Sequence, residues 1–171
     1  MVYKIVKFGD PVLETPAATV TEFDTPELRK FIDDMFESMY AAKGVGLAAT
    51  QIGVSQRIAV IDISLGENEN DKIVLINPEI IKTEGRQTSE EGCLSLPGFR
   101  ESVRRANRVT VRAQDVKGKV FEMTGEELLA RAFLHETDHL YGRLYISHIS
   151  PLKRDLIKRK IRKLAKQGEW A

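Results

Sequence analysis

Thr124-Gly-Glu-Glu-Leu-Leu-Ala-Arg-Ala-Phe-Leu-His-Glu-Thr-Asp-His-Leu-Tyr-Gly142 is the stretch on which the reading of this chain turns. Thr124 followed three residues later by Glu127 fits a reciprocal capping box, so the sequence predicts a helix from Thr124 to about Tyr141. Gly142 suits the left-handed position just past its end. Leu128 and Ala132 precede His135 by seven and three residues, so the apolar stripe runs on into His135 and should face the interior. His135 and His139, one helical turn apart on that face, can hold one metal ion, and Glu136 beside the first can reach a metal-bound water. Two buried imidazoles need polar partners, and a shared ion supplies one.

Working outward, Thr25-Pro26-Glu27 reads as a hydroxyl cap with proline at the first helical position, opening a helix over about 26–42 with Leu28, Phe31, Ile32, Met35 and Met39 on one face. Residues 57–63 and 73–77 are short β-rich runs about a polar turn, and 103–114 and 119–122 form a second antiparallel pair about Val116-Lys117-Gly118. The stretch Gly44 to Gly53 reads as a loop. A last helix over about 151–167 carries Leu152, Leu156, Ile157, Ile161 and Leu164 on one side. The expected class is α+β: small antiparallel β-sheets packed around a central metal-binding helix, with a C-terminal helix, in one domain over 1–171. Residues 152–171 form its basic C-terminal helix and tail.

The 171 residues are 42% hydrophobic and 30% charged, which excludes collagen-like, disulfide-scaffold and wholly disordered classes. The formal charge of +1 is a sum of unlike parts: residues 152–171 hold eight basic and two acidic groups, leaving 18 against 23 in residues 1–151. A basic helix thus follows an acidic body. No segment approaches the ~18 apolar residues of a membrane span, and Lys4, Lys7 and Asp10 interrupt what a signal peptide would need. The expectation is a cytoplasmic protein or an organellar matrix form, with no membrane and no DNA among its partners.

A catalytic divalent site takes three protein ligands and leaves a position open. One extension of His-Glu-x-x-His places a third histidine at position 145, which is tyrosine here, and His148 falls three residues too late. A downstream carboxylate ligand would have to be Asp155 or Glu169, both in the basic tail. Cys93, in Glu90-Glu-Gly-Cys-Leu-Ser-Leu-Pro-Gly98, completes a His₂Cys set, although a lone cysteine is as a rule a small buried hydrophobe. As the single cysteine it has no disulfide partner within the chain. Gly44-Val-Gly-Leu-Ala-Ala-Thr-Gln-Ile-Gly53, with Asp62 downstream, imitates a dinucleotide fingerprint. It follows a helix and precedes a strand, the reverse of what that motif requires. Close approach of backbone to a ligand, with Gln51 as amide donor, is the better use of its glycines.

Taken in order, Gly44-x-Gly-x-Ala-Ala-x-Gln51, Glu91-Gly-Cys-Leu-Ser95 and His135-Glu-x-Asp-His139 resemble the three signature motifs of the peptide deformylases. Phe8-Gly-Asp-Pro-Val-Leu13 extends the likeness to the N-terminal region, and Leu134 departs from the glutamine many members carry there. The resemblance implies removal of the N-formyl group from N-formylmethionyl nascent peptides, with release of formate. It implies Cys93, His135 and His139 as metal ligands and attack by metal-bound hydroxide, with Glu136 moving protons. It further implies Gln51 and the Leu94 N–H as oxyanion donors, and Gly46 backbone near the substrate. The metal is expected to be Fe²⁺, with Zn²⁺, Ni²⁺ or Co²⁺ compatible with the same ligands. Val45, Leu128 and Ala132 are candidates for the wall of the methionine pocket, or ordinary core; Glu91 and Arg105 resemble a bracing pair.

Two other readings stay open at this level. A His-Glu-x-x-His zinc peptidase needs a ligand after His139, where a deformylase needs Cys93. The basic C-terminal helix reads either as a solvated face or as a module that docks on ribosomal RNA, a contact the resemblance also implies.

Overall fold

In the computed structural model, residues 1–170 are described. The largest sheet is built on β2 (Ile58–Ile61), four apolar residues with no exposed member. Such a run needs cover on both faces. Ile58 and Val60 pack toward α1 (Pro26–Ala41) with Leu28, Ile32, Met35 and Met39; Ala59 and Ile61 pack toward α2 (Leu128–Leu140) with Ala130 and Phe133. The result is α1, sheet and α2 in three layers. The sheet is wholly antiparallel in the order β1 (Gly46–Ala48), β2, β3 (Ile73–Glu84), β6 (Arg108–Gln114) and β7 (Val120–Glu126). A separate hairpin pairs β4 (Gln87–Gly92) with β5 (Arg100–Arg105). After α2, a turn of 3₁₀ helix (Tyr145–His148) leads into α3 (Pro151–Lys166). The expected α+β class, its antiparallel sheets and its C-terminal helix are as observed.

Several boundaries differ from the sequence reading. The capping box does not form: β7 continues to Glu126, Thr124 pairs with Thr110 across the sheet (Oγ1 to Oγ1, 2.8 Å), and α2 starts at Leu128. Glu127 sits at φ +55° without a side-chain cap, and its N–H donates to the Asn107 carbonyl (2.9 Å). Cross-strand pairing outcompetes the local cap. Gly125 permits it, because a Cβ there would meet Leu129 Cγ at 2.6 Å and Phe133 Cε2 at 2.9 Å.

Strand β3 runs past Pro78, where the reading stopped at Asn77. A bulge absorbs the proline: Asn77 takes φ +52°, and its side chain bonds the Val20 backbone and Gln114. The expected 103–114 strand divides at Ala106-Asn107 between the two sheets. The expected Gly44–Gly53 loop holds β1 and a turn of 3₁₀ helix, Ala49–Ile52, fixed because Gln51 Oε1 accepts from the Ala48 N–H (3.0 Å). Asp62, the acid of the false fingerprint, accepts from Tyr40, Ser64 and Gly66 and braces a turn.

Candidate metal centre

Three stretches far apart in sequence meet at the buried face of α2. His135 and His139 project from α2, Cys93 lies in the turn after β4, and Gln51 lies in the 3₁₀ turn after β1. The facing ring nitrogens, both Nε2, are 3.2 Å apart, and Cys93 Sγ lies 3.3 Å from His139 Nε2. The three donor atoms all fall within 4.8 Å of one another, the one such cluster among the described residues. Tetrahedral coordination with metal bonds of about 2.0–2.3 Å sets donors about 3.3–3.7 Å apart. Sulfur and two imidazole nitrogens at this spacing fit a divalent ion.

The ring orientation of His135 is fixed from behind. Its Nδ1 donates to Glu91 Oε2 (2.6 Å), which leaves Nε2 for a metal. Glu91 is 4% exposed and is gripped by two guanidinium groups: Arg105 donates through Nε (3.1 Å) and Nη2 (2.7 Å), and Arg131 through Nη1 (2.5 Å). Burial alone would raise the Glu91 pKa. His135 and Arg105 outweigh it, so the carboxylate stays charged far below its ordinary range.

Arg105 also reaches Asp138 (2.8 Å), which accepts from His148 Nε2 (2.9 Å). The third histidine therefore belongs to the support of the site and not to its donor set. Tyr145, at the position where the extended motif would carry a third histidine, stacks on His135 with ring centroids 6.4 Å apart and planes at 20°.

The two imidazoles differ in electrostatics. Burial opposes charge on His135, yet Glu136, Cys93 and Glu91 raise its pKa well above the usual value; burial, then the neighbouring His135, push His139 well below it. A neutral imidazole is the form that ligates metal. Glu136 is buried, and its Oε1 has no hydrogen-bond partner among the described residues. Burial pushes its pKa up to about 7, with Glu91 and Asp138 adding to the rise and His135 opposing it. A carboxyl group poised there can take and return a proton near neutral pH.

Gln51 is 1% exposed; its Nε2 donates to Ser95 Oγ (3.2 Å) and toward Cys93 Sγ (3.5 Å). Gln51, Glu91, Cys93, His135 and Glu136 border one cleft of about 560 Å³, which Val45, Gly46, Leu94, Leu128 and Ala132 also line; His139 lies buried behind them. Gly46 is required for space: a Cβ there would stand 2.5 Å from Glu136 Oε2. Its close approach is thus to the acid of the site. Leu128 does not continue the apolar stripe into the core; it is 48% exposed at the cleft wall, because α2 starts at this residue. Arg131 escaped the sequence reading, although an arginine four residues before His135 on the same helical face is the signal that could have found it.

Fold and site together define an α+β scaffold around a cysteine and two histidines that could hold a metal ion, with an acid adjacent. Residues 2–155 match the family model of polypeptide deformylases. The chain is 65% identical over 170 residues to the peptide deformylase of Acidobacterium capsulatum, covering 99% of both chains. A crystal structure of a peptide deformylase from Legionella pneumophila superposes with TM-score 0.89 at 48% identity, over 98% of both chains. One from Plasmodium falciparum superposes with TM-score 0.88 at 33% identity, over 96% of both. The chain belongs to the polypeptide deformylase family, a family of hydrolases.

Proposed function

We propose that this chain hydrolyses the N-formyl group of N-formylmethionyl nascent peptides, adding water across the formyl amide to release formate and a free amine. The observation that carries this reading is the cluster of Cys93, His135 and His139 at a cleft that Cys93, His135, Glu136 and Gln51 line. Cys93, His135 and His139 would hold a divalent ion, Fe²⁺ in the working enzyme, which when bound supplies Lewis acidity to the attacking water and the formyl oxygen. Glu136 takes the proton of that water and delivers it to the departing amine, a transfer suited to a carboxyl group titrating near 7. Gln51 Nε2 and the Leu94 N–H donate to the oxygen on which negative charge develops. Glu91, held by Arg105 and Arg131, keeps His135 in one tautomer and one orientation.

Gly46 lets the β1 backbone approach the reacting groups, and Val45, Leu128 and Ala132 supply the wall for the methionine side chain. Residues 1–171 act as a single catalytic domain in a cytoplasmic setting, with α3 as the basic face turned toward ribosomal RNA. Among the described residues, no helix is long and apolar enough to cross a membrane.

The test is formate release from a formyl-Met peptide by anaerobically prepared protein with its metal content measured. Stoichiometric formate and free Met peptide are expected. Cleavage of internal peptide bonds without formate would favour the peptidase reading.

A further inference from the structure

Helix α3 ends in a turn that reverses the chain. The Glu169 N–H donates to the Leu164 carbonyl (2.8 Å) and the Gly168 N–H to the Ala165 carbonyl (3.1 Å), with Gly168 at φ +73°. This pair of bonds is a Schellman closure, with glycine in its left-handed position. Its consequence is direction: Gln167, Gly168 and Glu169 are exposed, but Trp170 returns to the body half-buried and joins the cluster that contains Leu96, Phe99 and Cys93.

Three contacts hold the indole. Nε1 donates to the Phe8 carbonyl (2.8 Å), the ring meets Phe99 edge to face with centroids 6.0 Å apart and planes at 71°, and Lys7 Nζ lies 5.6 Å from the ring centre. Phe8 is itself tied to the Cys93 turn, since its N–H donates to the Ser95 carbonyl (2.8 Å). Phe99 follows Gly98, at φ +86°, and borders the cleft together with Leu96 and Pro97. The Phe99 N–H donates to the Leu96 carbonyl (3.3 Å), which holds the backbone of the turn but not the ring. Trp170 supplies an aromatic partner on that ring in the edge-to-face arrangement such pairs prefer.

We propose that Trp170 is a positioning residue that latches Phe99 as the wall of the cleft, so that the segment after α3 sets how tightly a formylated peptide is bound there. The substrate in this statement rests on the deformylase reading; the latch itself rests on the Trp170 contacts. Because the contacts that hold the indole are with Phe8, Phe99 and Lys7, none of them assigned to the chemistry, its effect falls on KM and not on kcat.

The chain has one tryptophan, so its indole emission reports Trp170 alone. The experiment combines formate-release kinetics of the metal-loaded enzyme on formyl-Met-Ala-Ser with emission during titration by the product peptide Met-Ala-Ser. Trp170→Ala should raise KM about three- to tenfold with kcat held, while the melting temperature falls only slightly. Trp170→Phe keeps an edge-to-face ring and should stay within about twofold of wild type. Wild-type emission should shift as Met-Ala-Ser binds, and Phe99→Leu should abolish the shift. An unchanged KM in Trp170→Ala, parallel losses in kcat and melting temperature, or emission insensitive to the peptide would each overturn the proposal. Absence of formate release by wild type would instead defeat the deformylase reading; acrylamide quenching then decides the latch, with Phe99→Leu expected to expose Trp170 and unchanged quenching contradicting it.

Discussion

Helices α2 and α3 are both amphipathic, yet they use their faces for opposite ends. α2 buries nine of its 13 residues, and four of those nine are Arg131, His135, Glu136 and His139; α3 buries only Ile157 and Ile161 of its 16. In α2 Arg131 and His135 bond Glu91, and Arg105 links Glu91 to Asp138, so these groups' electrostatics depend on one another. In α3 Arg154 donates to the Ile146 and Ile149 carbonyls, and most of the other basic side chains face water, where charges contribute little to stability. Helical periodicity marks a face in both. Only the identity of the side chains on that face, and the partners that reach it from elsewhere, separate a site from a solvated surface.

The contrast predicts a steep gradient of mutational effects. Glu136→Gln keeps size and removes the proton carrier, so formate release should fall about 10²- to 10⁴-fold with metal content unchanged by elemental analysis. Arg105→Ala leaves Glu91 and Asp138 short of a buried cation and should lower unfolding stability in urea by about 3–5 kcal/mol.

That variant also has a pH signature. Glu91 in the folded protein titrates below its ordinary value of 4.5, so on acidification the unfolded chain takes up the proton first. Wild-type stability should hold above that value and fall as pH drops through and below it. In Arg105→Ala the fall should be shallower; equal slopes in the two proteins would remove Arg105 from the network.

A smaller effect is expected from Gly46→Ala, whose new methyl displaces the Glu136 carboxylate. The cost should be about 1–3 kcal/mol of stability in denaturant titration, with a clear loss of kcat. The least should come from Lys158→Glu together with Lys160→Glu on α3. Stability should change by no more than about 0.5 kcal/mol per site, and kcat on a short formyl peptide should be unaltered. If the α3 pair proved as costly as Arg105→Ala, the distinction between the two helices would collapse.

What the sequence disclosed follows from range. His135 and His139 are legible because their pairing is set by one helical turn, and Cys93 because a three-ligand site lacked a member. Arg131 and Asp138 are not, since their partners Glu91 on β4 and Arg105 on β5 lie 40 and 33 residues away, and His148 joins the network only through Asp138. Thr124 shows a local signal losing to a nonlocal one: a sound capping box gave way to a strand already paired with β6. Strand β4, Gln-Thr-Ser-Glu-Glu-Gly, has no apolar alternation to announce it and exists through its ladder with β5. The same ladder carries Glu91 to His135.

The proposed deformylase activity turns on Cys93 as the third metal ligand. Its most direct test is Cys93→Ser, measured for bound metal and for formate release from a formyl-Met peptide. Loss of metal from the site together with loss of formate release is the predicted result; full metal loading with undiminished release would contradict it.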